Sequence, residues 1–207
     1  MEKYSRDNTV ALAVTGASGA GYSLRLLEHL IAAEQRVWLM LSDAGRIVME
    51  MEESLSLPDS ISEQQQILAE LFGAEEGQLL LYGKNDWLSP AASGSSAARA
   101  MVVCPCSMGT LSSIAHGSSD NLLERAADVI IKERRELILV PRETPYSTIH
   151  LENMAKLSKL GVVILPPNPG FYQHPKSIQD LVDFIVARIL DQLNIEHRLL
   201  PAWADDI

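Results

Sequence analysis

The sequence predicts an α/β protein, a three-layer Rossmann- or flavodoxin-like fold with a parallel sheet and helices on both faces. Three observations carry this. Short apolar runs of strand length alternate with amphipathic stretches of helix length along the chain, the pattern of a parallel sheet covered by helices. The first run, 10–14, breaks into Thr15-Gly16-Ala17-Ser18-Gly19-Ala20-Gly21 and then a helix, a turn that leaves backbone N–H groups at a partly positive helix end where phosphate binds. Five strands end in polar or glycine-rich residues: Gly16-Ala17-Ser18, Ser42, Ser107 to Thr110, Arg142-Glu143 and the 166–172 loop. In a parallel sheet all five lie on one edge, where ligands bind.

In chain order, 10–14 is apolar enough for a buried strand. The stretch 22–34 follows as a helix with Leu24, Leu27, Leu30 and Ile31 on one side. A strand over 36–41 ends at Ser42-Asp43, and a helix over 46–53 precedes the break at Pro58. Residues 62–72 read as a helix, 78–82 as a strand and 83–96 as a loop rich in Ser and Gly. A strand over 100–104 runs into Pro105 and the Ser107-to-Thr110 turn, then a short helix reaches His116. Helix 121–134, strand 136–140, helix 147–160 stopped by Gly161, and strand 162–165 complete the alternation. The last helix, 177–193, opens on the capping pair Ser177 and Asp180. No repeat or linker interrupts the chain, so 1–207 reads as a single domain, with the first eight or so residues and the tail from Pro201 loosely held.

The chain has 207 residues, 47% hydrophobic and 21% charged, with a formal charge of −10. That suits a globular protein and argues against broad binding to nucleic acid or anionic membranes. Any phosphate site must therefore use a few local cations. The N-terminus has no apolar signal core, and no stretch approaches the roughly 20 apolar residues of a membrane span. The cysteines, Cys104 and Cys106, give no disulfide framework, and the expected location is the cytoplasm.

Several residues stand out. The glycine order G-x-x-G-x-G differs from the dinucleotide fingerprint G-x-G-x-x-G; it marks either a tight turn or the close approach of a ligand to the backbone. Arg188 falls by helical period among Leu181, Phe184, Ile185 and Ile189. An arginine there must be paired internally, snorkel outward, or meet an anionic substrate group. Arg125 and Lys132 share a helix face with Asp128, and their spacing favours a solvated face with local ion pairs. Arg142 and Glu143 sit between Pro141 and Pro145, which stiffen the loop. There Arg142 can clamp a phosphate and Glu143 can pass protons, or both are ordinary exposed charges. Cys104 and Cys106 are too few for a metal site and read as small core residues. Trp87 is either a packing anchor or a face for a flat ligand. Tyr172-Gln-His-Pro-Lys176 matches the Y-x-x-x-K pair of short-chain dehydrogenases, but Pro169 and Pro175 argue against the helical turn that pair needs.

Together, Thr15-Gly-Ala-Ser-Gly-Ala20, Ala92-Ser-Gly-Ser-Ser96, Cys104-Pro-Cys-Ser107, Asn121-Leu-Leu-Glu-Arg125, Pro141-Arg-Glu143, His150-Leu-Glu-Asn-Met154 and Pro169-Gly-Phe-Tyr172 resemble the flavin prenyltransferase family. This is the UbiX type, long described as octaprenyl-hydroxybenzoate carboxy-lyases, and the resemblance runs from about residue 8 to 203. It implies an FMN-binding, flavodoxin-like fold. The activity implied is metal-free transfer of a dimethylallyl group from dimethylallyl monophosphate to reduced FMN, at its N5 and C6 positions. The product would serve a UbiD-type decarboxylase, as in ubiquinone synthesis.

The resemblance implies that Gly16, Ala17, Ser18 and Ser42, then Ser107, Met108, Gly109 and Thr110, and Arg142 hold FMN. Tyr172, Arg188, Arg125 and Lys132 correspond to ligands of the substrate phosphate. Glu143 corresponds to the acid–base carboxylate, with Ser18 as its relay, and Glu52 and Trp87 to further active-site positions. Met108 departs from a threonine common in the family; contact through its backbone would make the change matter little. The family also implies trimers gathered into a dodecamer, with sites at subunit contacts. Two alternatives stand beside this reading, an FMN-dependent cysteine decarboxylase of the same fold and an NAD(P)-dependent short-chain dehydrogenase. The decarboxylases carry an Ala-Asn pair and a Pro-x-Met-Asn block where this chain has Gly94-Ser95-Ser96 and Pro141-Arg142-Glu143.

Overall fold

The computed structural model describes residues 4–200; the tail from Pro201 lies outside the described residues. Six strands form one sheet: β1 (Thr9–Val14), β2 (Arg36–Leu41), β3 (Leu79–Tyr82), β4 (Ala100–Cys106), β5 (Glu136–Pro141) and β6 (Val163–Ile164). They pair in the order β3-β2-β1-β4-β5-β6, every pair parallel. The chain winds outward from β1 in one direction and from β4 in the other. The strand order thus reverses between β1 and β4, the place where such sheets open a crevice at the carboxyl ends of their strands.

Among the described residues seven α-helices cover the sheet: α1 (Ala20–Ala32), α2 (Asp43–Glu53), α3 (Ile61–Phe72), α4 (Met108–His116), α5 (Leu122–Lys132), α6 (Thr148–Lys159) and α7 (Ile178–Gln192). Strand residues alternate between two cores. Val10, Leu12 and Val14, with Val37, Leu39, Val102 and Ile138, face the layer that holds Leu26 and Leu30 of α1 and Ile185 and Ile189 of α7. Ala11, Ala13, Trp38, Met101 and Leu139 face the opposite layer with Leu111 of α4 and Ile130 of α5. Both faces being dry, the strands read as near-continuous apolar runs.

The boundaries follow local chemistry. Ser42, Ser60, Ser107, Asn121, Ser147 and Ser177 each accept a backbone N–H through the side chain and cap a helix from outside it. Helices expected to begin on such residues therefore begin one later, and α2 begins at Asp43 rather than 46 because Ser42 caps it. On α1 it is Leu26, not Leu24, that joins Leu27, Leu30 and Ile31 in full burial. β6 shrinks to Val163–Ile164. β4 extends to Cys106, and its pairing with β5 slips between Val103 and Cys106. The slip sends Cys104 into one core and Cys106 into the other, although two residues apart on a regular strand they would share a face. Both are fully buried, as their reading as small core residues requires.

Candidate active site

The carboxyl ends of β1 and β4 are tied by one side chain. Thr15, buried, donates from Oγ1 to the Pro105 carbonyl at 2.8 Å and accepts the Ser107 N–H at 2.8 Å. The two ligand loops expected from the sequence are thereby a single unit. On one side of it α2 packs so closely that a Cβ on Gly16 would lie 2.5 Å from the Ala44 Cβ, and a Cβ on Gly45 would lie 2.7 Å from the Val14 carbonyl oxygen. Ser42 accepts the Gly45 N–H at 3.0 Å and Ser107 accepts the Thr110 N–H at 3.2 Å. Met108 points into the core beside Leu111, so only its backbone faces the crevice, while Gly109 is exposed.

Two hollows open here. One, of about 290 Å³, is bounded by Ser42, Asp43 and Ala44, by Tyr82 and Lys84, and by Thr110 and Asn121. The other, of about 400 Å³, gathers Ser18, Gly19, Glu52, Glu53, Arg142, Glu143, Tyr146 and Asn168, with Ile178 and Val182 of α7 at its edge. Gly19, at φ 122°, makes the turn into α1, a conformation open to glycine alone at little cost.

The second hollow corrects one expectation. The N–H groups at the start of α1 are not free for a phosphate, because Glu52 Oε2 accepts from Gly19 N at 2.8 Å and from Ala20 N at 2.9 Å. Partial burial pushes the Glu52 carboxyl up, but the Ser18 hydroxyl, those two N–H groups and Arg142 together hold it below its usual range. Ser18, expected beside Glu143, thus has its hydroxyl engaged with Glu52. Arg142 Nε donates to the Ser18 carbonyl at 3.3 Å, closing the loop after β5 onto the loop after β1. Glu143 accepts the Thr144 N–H at 3.1 Å. Burial, and then Glu143, push the Tyr146 phenol up, so it stays protonated.

The remaining expected residues lie elsewhere in the chain. Arg125 donates to the Ala92 carbonyl at 3.1 Å and pairs with Asp128 at 2.7 Å; Lys132 pairs with Glu133 rather than Asp128. The 93–96 loop lies on this face, where a Cβ on Gly94 would stand 2.6 Å from Lys132 Nζ. Trp87 is 45% exposed beside Leu88 and Asn85, outside the hollow that holds Glu143. Arg188 does not lie within the apolar stripe of α7. The buried stripe is Ile185, Val186, Ile189 and Leu190; Arg188 is on its flank, half exposed, and pairs with Asp191 at 2.6 Å. Tyr172 meets the same flank, its ring edge-on to Phe184 at 6.0 Å, one turn before Arg188. That flank lies roughly 80–160° around the helix from Ile178 and Val182, and neither Tyr172 nor Arg188 lines the hollow those two residues edge. Within one chain the structure brings Ser18, Glu52, Arg142 and Glu143 together, sets Ser42 and Thr110 in the neighbouring hollow, and keeps Trp87, the Arg125–Lys132 face and the Tyr172–Arg188 flank apart. The Tyr172/Lys176 pair is not helical: the 3₁₀ turn Phe171–Gln173 ends at His174 with φ 50°.

Thr15 and Tyr146 were missed as site residues. Thr15 was visible only as the first letter of the glycine motif, and nothing local marks Tyr146.

The sequence profile of the flavoprotein family matches residues 1–190. A flavin prenyltransferase UbiX from Pseudomonas aeruginosa is 56% identical over 196 residues, 95% of this chain and 94% of its own. One from Halalkalibacterium halodurans is 49% identical over 193 residues, 93% of this chain and 92% of its own. Among solved structures, a dodecameric FMN-dependent UbiX-like decarboxylase from Escherichia coli O157:H7 superposes with TM-score 0.84 at 39% identity, over 94% of this chain and 98% of its own. A UbiX protein in complex with FMN and dimethylallyl pyrophosphate superposes with TM-score 0.83 at 36% identity, over 95% of this chain and 97% of its own.

Proposed function

The chain belongs to the flavoprotein family and, within it, to the flavin prenyltransferases, and on that premise we propose how its own residues carry out the transfer. The carrying observation is the second hollow, where Arg142 is clamped to the loop after β1 beside two carboxylates, Glu52 and Glu143. The crevice also fits FMN. Gly16 leaves no room for a side chain against Ala44, and the hydroxyls of Ser42, Ser107 and Thr110 cluster at helix starts on either side of the Thr15 tie. Gly16, Ala17, Ser18, Ser42, Ser107, Met108 (through its backbone), Gly109, Thr110 and Arg142 would hold it. Reduced FMN supplies the nucleophilic ring that accepts the dimethylallyl group.

The transfer breaks the bond between the allylic carbon and the phosphate oxygen of dimethylallyl monophosphate. The electron pair leaves with phosphate, and positive charge builds on the allyl group. Arg125, Lys132, Arg188 and the Tyr172 hydroxyl stabilise the departing phosphate. The face of Trp87 stabilises the allylic charge. Glu143 would take up the proton that the ring carbon C6 gives up when its bond to the dimethylallyl group forms, with Tyr146 as its protonated neighbour, and Glu52 fixes Ser18 and the α1 turn.

These groups lie on separate faces of one chain, so we place the complete site between copies in a trimer-based, dodecameric homo-oligomer. The dodecamer of the Escherichia coli neighbour supports this, as do the apolar side chains Ile47, Met51, Leu71, Ile149 and Phe171, more than half exposed in the single chain. The product passes to a UbiD-type decarboxylase in the cytoplasm for ubiquinone synthesis. Among the described residues no helix is long and apolar enough to cross a membrane.

Incubation of the enzyme with reduced FMN and dimethylallyl monophosphate, read by product mass, tests the reading. Gain of one five-carbon prenyl unit on the flavin is the expected result. Consumption of NADH with the flavin mass unchanged would favour the dehydrogenase, and decarboxylation of a peptidyl cysteine the other alternative.

A further inference from the structure

We propose that Asp191, backed by His197, is a positioning residue for Arg188; this rests on the reading of Arg188 as a ligand of the substrate phosphate. Arg188 and Asp191 are one turn apart near the end of α7. By itself such an exposed pair is worth little. What distinguishes this one is the second oxygen. Asp191 Oδ2 accepts from Arg188 Nη1 at 2.6 Å, and Oδ1 accepts from His197 Nε2 at 3.0 Å. His197 is nearly buried, its side chain 10% exposed. Its Nδ1 accepts the Leu199 N–H at 3.4 Å, which leaves Nε2 as the ring's donor, so the bonds converge on one carboxylate: Leu199 N–H donates to His197, His197 Nε2–H donates to Asp191 Oδ1, and Arg188 Nη1 donates to Asp191 Oδ2.

The ring is brought there by the turn that follows α7. Asn194 takes a left-handed φ of 53°, Ile195 returns its N–H to the Leu190 carbonyl at 3.0 Å and buries its side chain, and the chain doubles back along the last turn of the helix. The helix itself is pinned to α1 by Arg25 and Asp183 at 2.7 Å, which commits Asp183 and leaves Asp191 to serve Arg188. With both oxygens engaged by divergent partners, the Asp191 carboxylate cannot rotate freely. It holds one arm of a long, flexible side chain. Among the described residues Nε and Nη2 of Arg188 have no partner, which leaves the rest of the guanidinium fork for a phosphate.

The test uses the full-length enzyme with reduced FMN and dimethylallyl monophosphate, and the variants Arg188→Ala, Asp191→Asn, His197→Phe and His197→Gln. Asp191→Asn and His197→Phe are expected to raise KM for the allylic phosphate about 2- to 5-fold, with kcat, FMN affinity and Tm little changed. His197→Gln keeps a donor near the place of Nε2 and is expected to restore wild-type KM. Asp191→Asn added to Arg188→Ala is expected to add nothing. An unchanged or lowered KM in Asp191→Asn, where Arg188→Ala raises it, would overturn the positioning role. So would an Asp191→Asn effect of equal size in the Arg188→Ala background. If Arg188→Ala itself leaves KM unchanged, the phosphate role of Arg188 fails first.

Discussion

Replacing Glu52 by alanine isolates the anion seat at the start of α1. The carboxylate accepts two backbone N–H groups at 2.8 and 2.9 Å and sits at the positive end of a thirteen-residue helix. Loss of a capping acceptor typically costs about 1 kcal/mol, and loss of an exposed negative charge at a helix N-terminus about 0.3–1 kcal/mol. The sum, about 1–2 kcal/mol, should lower Tm by roughly 2–8 °C in a chain of this size. The variant bares both N–H groups to solvent, so inorganic phosphate should fill the seat. At ten times its Kd an anion returns about 1.4 kcal/mol, most of the loss. The assay is Tm with saturating FMN, in phosphate and in sodium chloride of equal ionic strength. Glu52→Ala should gain more from phosphate than wild type, whose seat is taken. The pH dependence has a definite sign. Because the Glu52 carboxyl is held below its usual range, its contribution is whole above the unfolded value of about 4.3 and is lost as pH falls through the lower folded value. The gap between wild type and Glu52→Ala should therefore close in acid. An equal phosphate response in both proteins, or no loss of Tm in the variant, would refute the reasoning.

Three further outcomes are expected. Glu143→Gln should slow product formation by about 100-fold or more while FMN titration is unchanged; full-rate formation of prenylated flavin would remove Glu143 from proton transfer. Gly45→Ala places a Cβ 2.7 Å from the Val14 carbonyl and 3.2 Å from Ser42 Oγ. Backbone cannot retreat cheaply, so roughly 1–3 kcal/mol of stability should go and FMN should bind more weakly, whereas wild-type Tm and affinity would show that α2 slides without cost. His29→Leu should flatten the Tm–pH curve below neutrality. Burial and then Arg25 lower the His29 pKa, Glu28 and Asp183 oppose that, His197 reinforces it, and among the described residues Nε2 is buried without a hydrogen-bond partner. The neutral ring's contribution is present above the unfolded value of about 6.5 and is lost as pH falls through the lower folded value. Equal slopes for both proteins from pH 7 to 5 would count against it.

The sheet was legible because both of its faces are dry: runs such as 10–14 and 137–140 are apolar without alternation, and the residues that stop them are those at the crevice. Capping serines marked most helix starts to within a residue or two. What sequence could not supply was contact across distance. Nothing near Glu52 announces that its carboxylate lies on Gly19 and Ala20, 33 and 32 positions back. Beside Cys104 the one local sign of the slip in β4 that parts it from Cys106 is Pro105, which cannot donate to the ladder. Arg188 was misplaced for a different reason. A stripe drawn through Leu181 and Phe184 takes Arg188 in, whereas the stripe that packs, Ile185 to Leu193, is centred roughly 130° from it. Phe184 is only partly buried, and a helix whose apolar arc is broad does not reveal from periodicity alone which edge faces water.

The same misplacement points to how an acidic chain keeps phosphate ligands. The three cations expected at the substrate phosphate are each matched by an acid no more than three residues away, Arg125 by Asp128, Lys132 by Glu133 and Arg188 by Asp191. Three bare cations converging on one seat would repel one another before any ligand arrived, with an effect that grows as water is excluded. With a carboxylate on each, the converging faces of neighbouring copies carry little net charge until a phosphate comes in. A phosphate then gains direction from guanidinium and ammonium groups already held, rather than from a cluster that must first be assembled against its own repulsion. In the proposed assembly, local pairing of the phosphate ligands and division of the site among copies are therefore one arrangement: each cation is offset by its own acid in a chain of net charge −10, and the guanidinium and ammonium groups converge on one phosphate only where the faces meet.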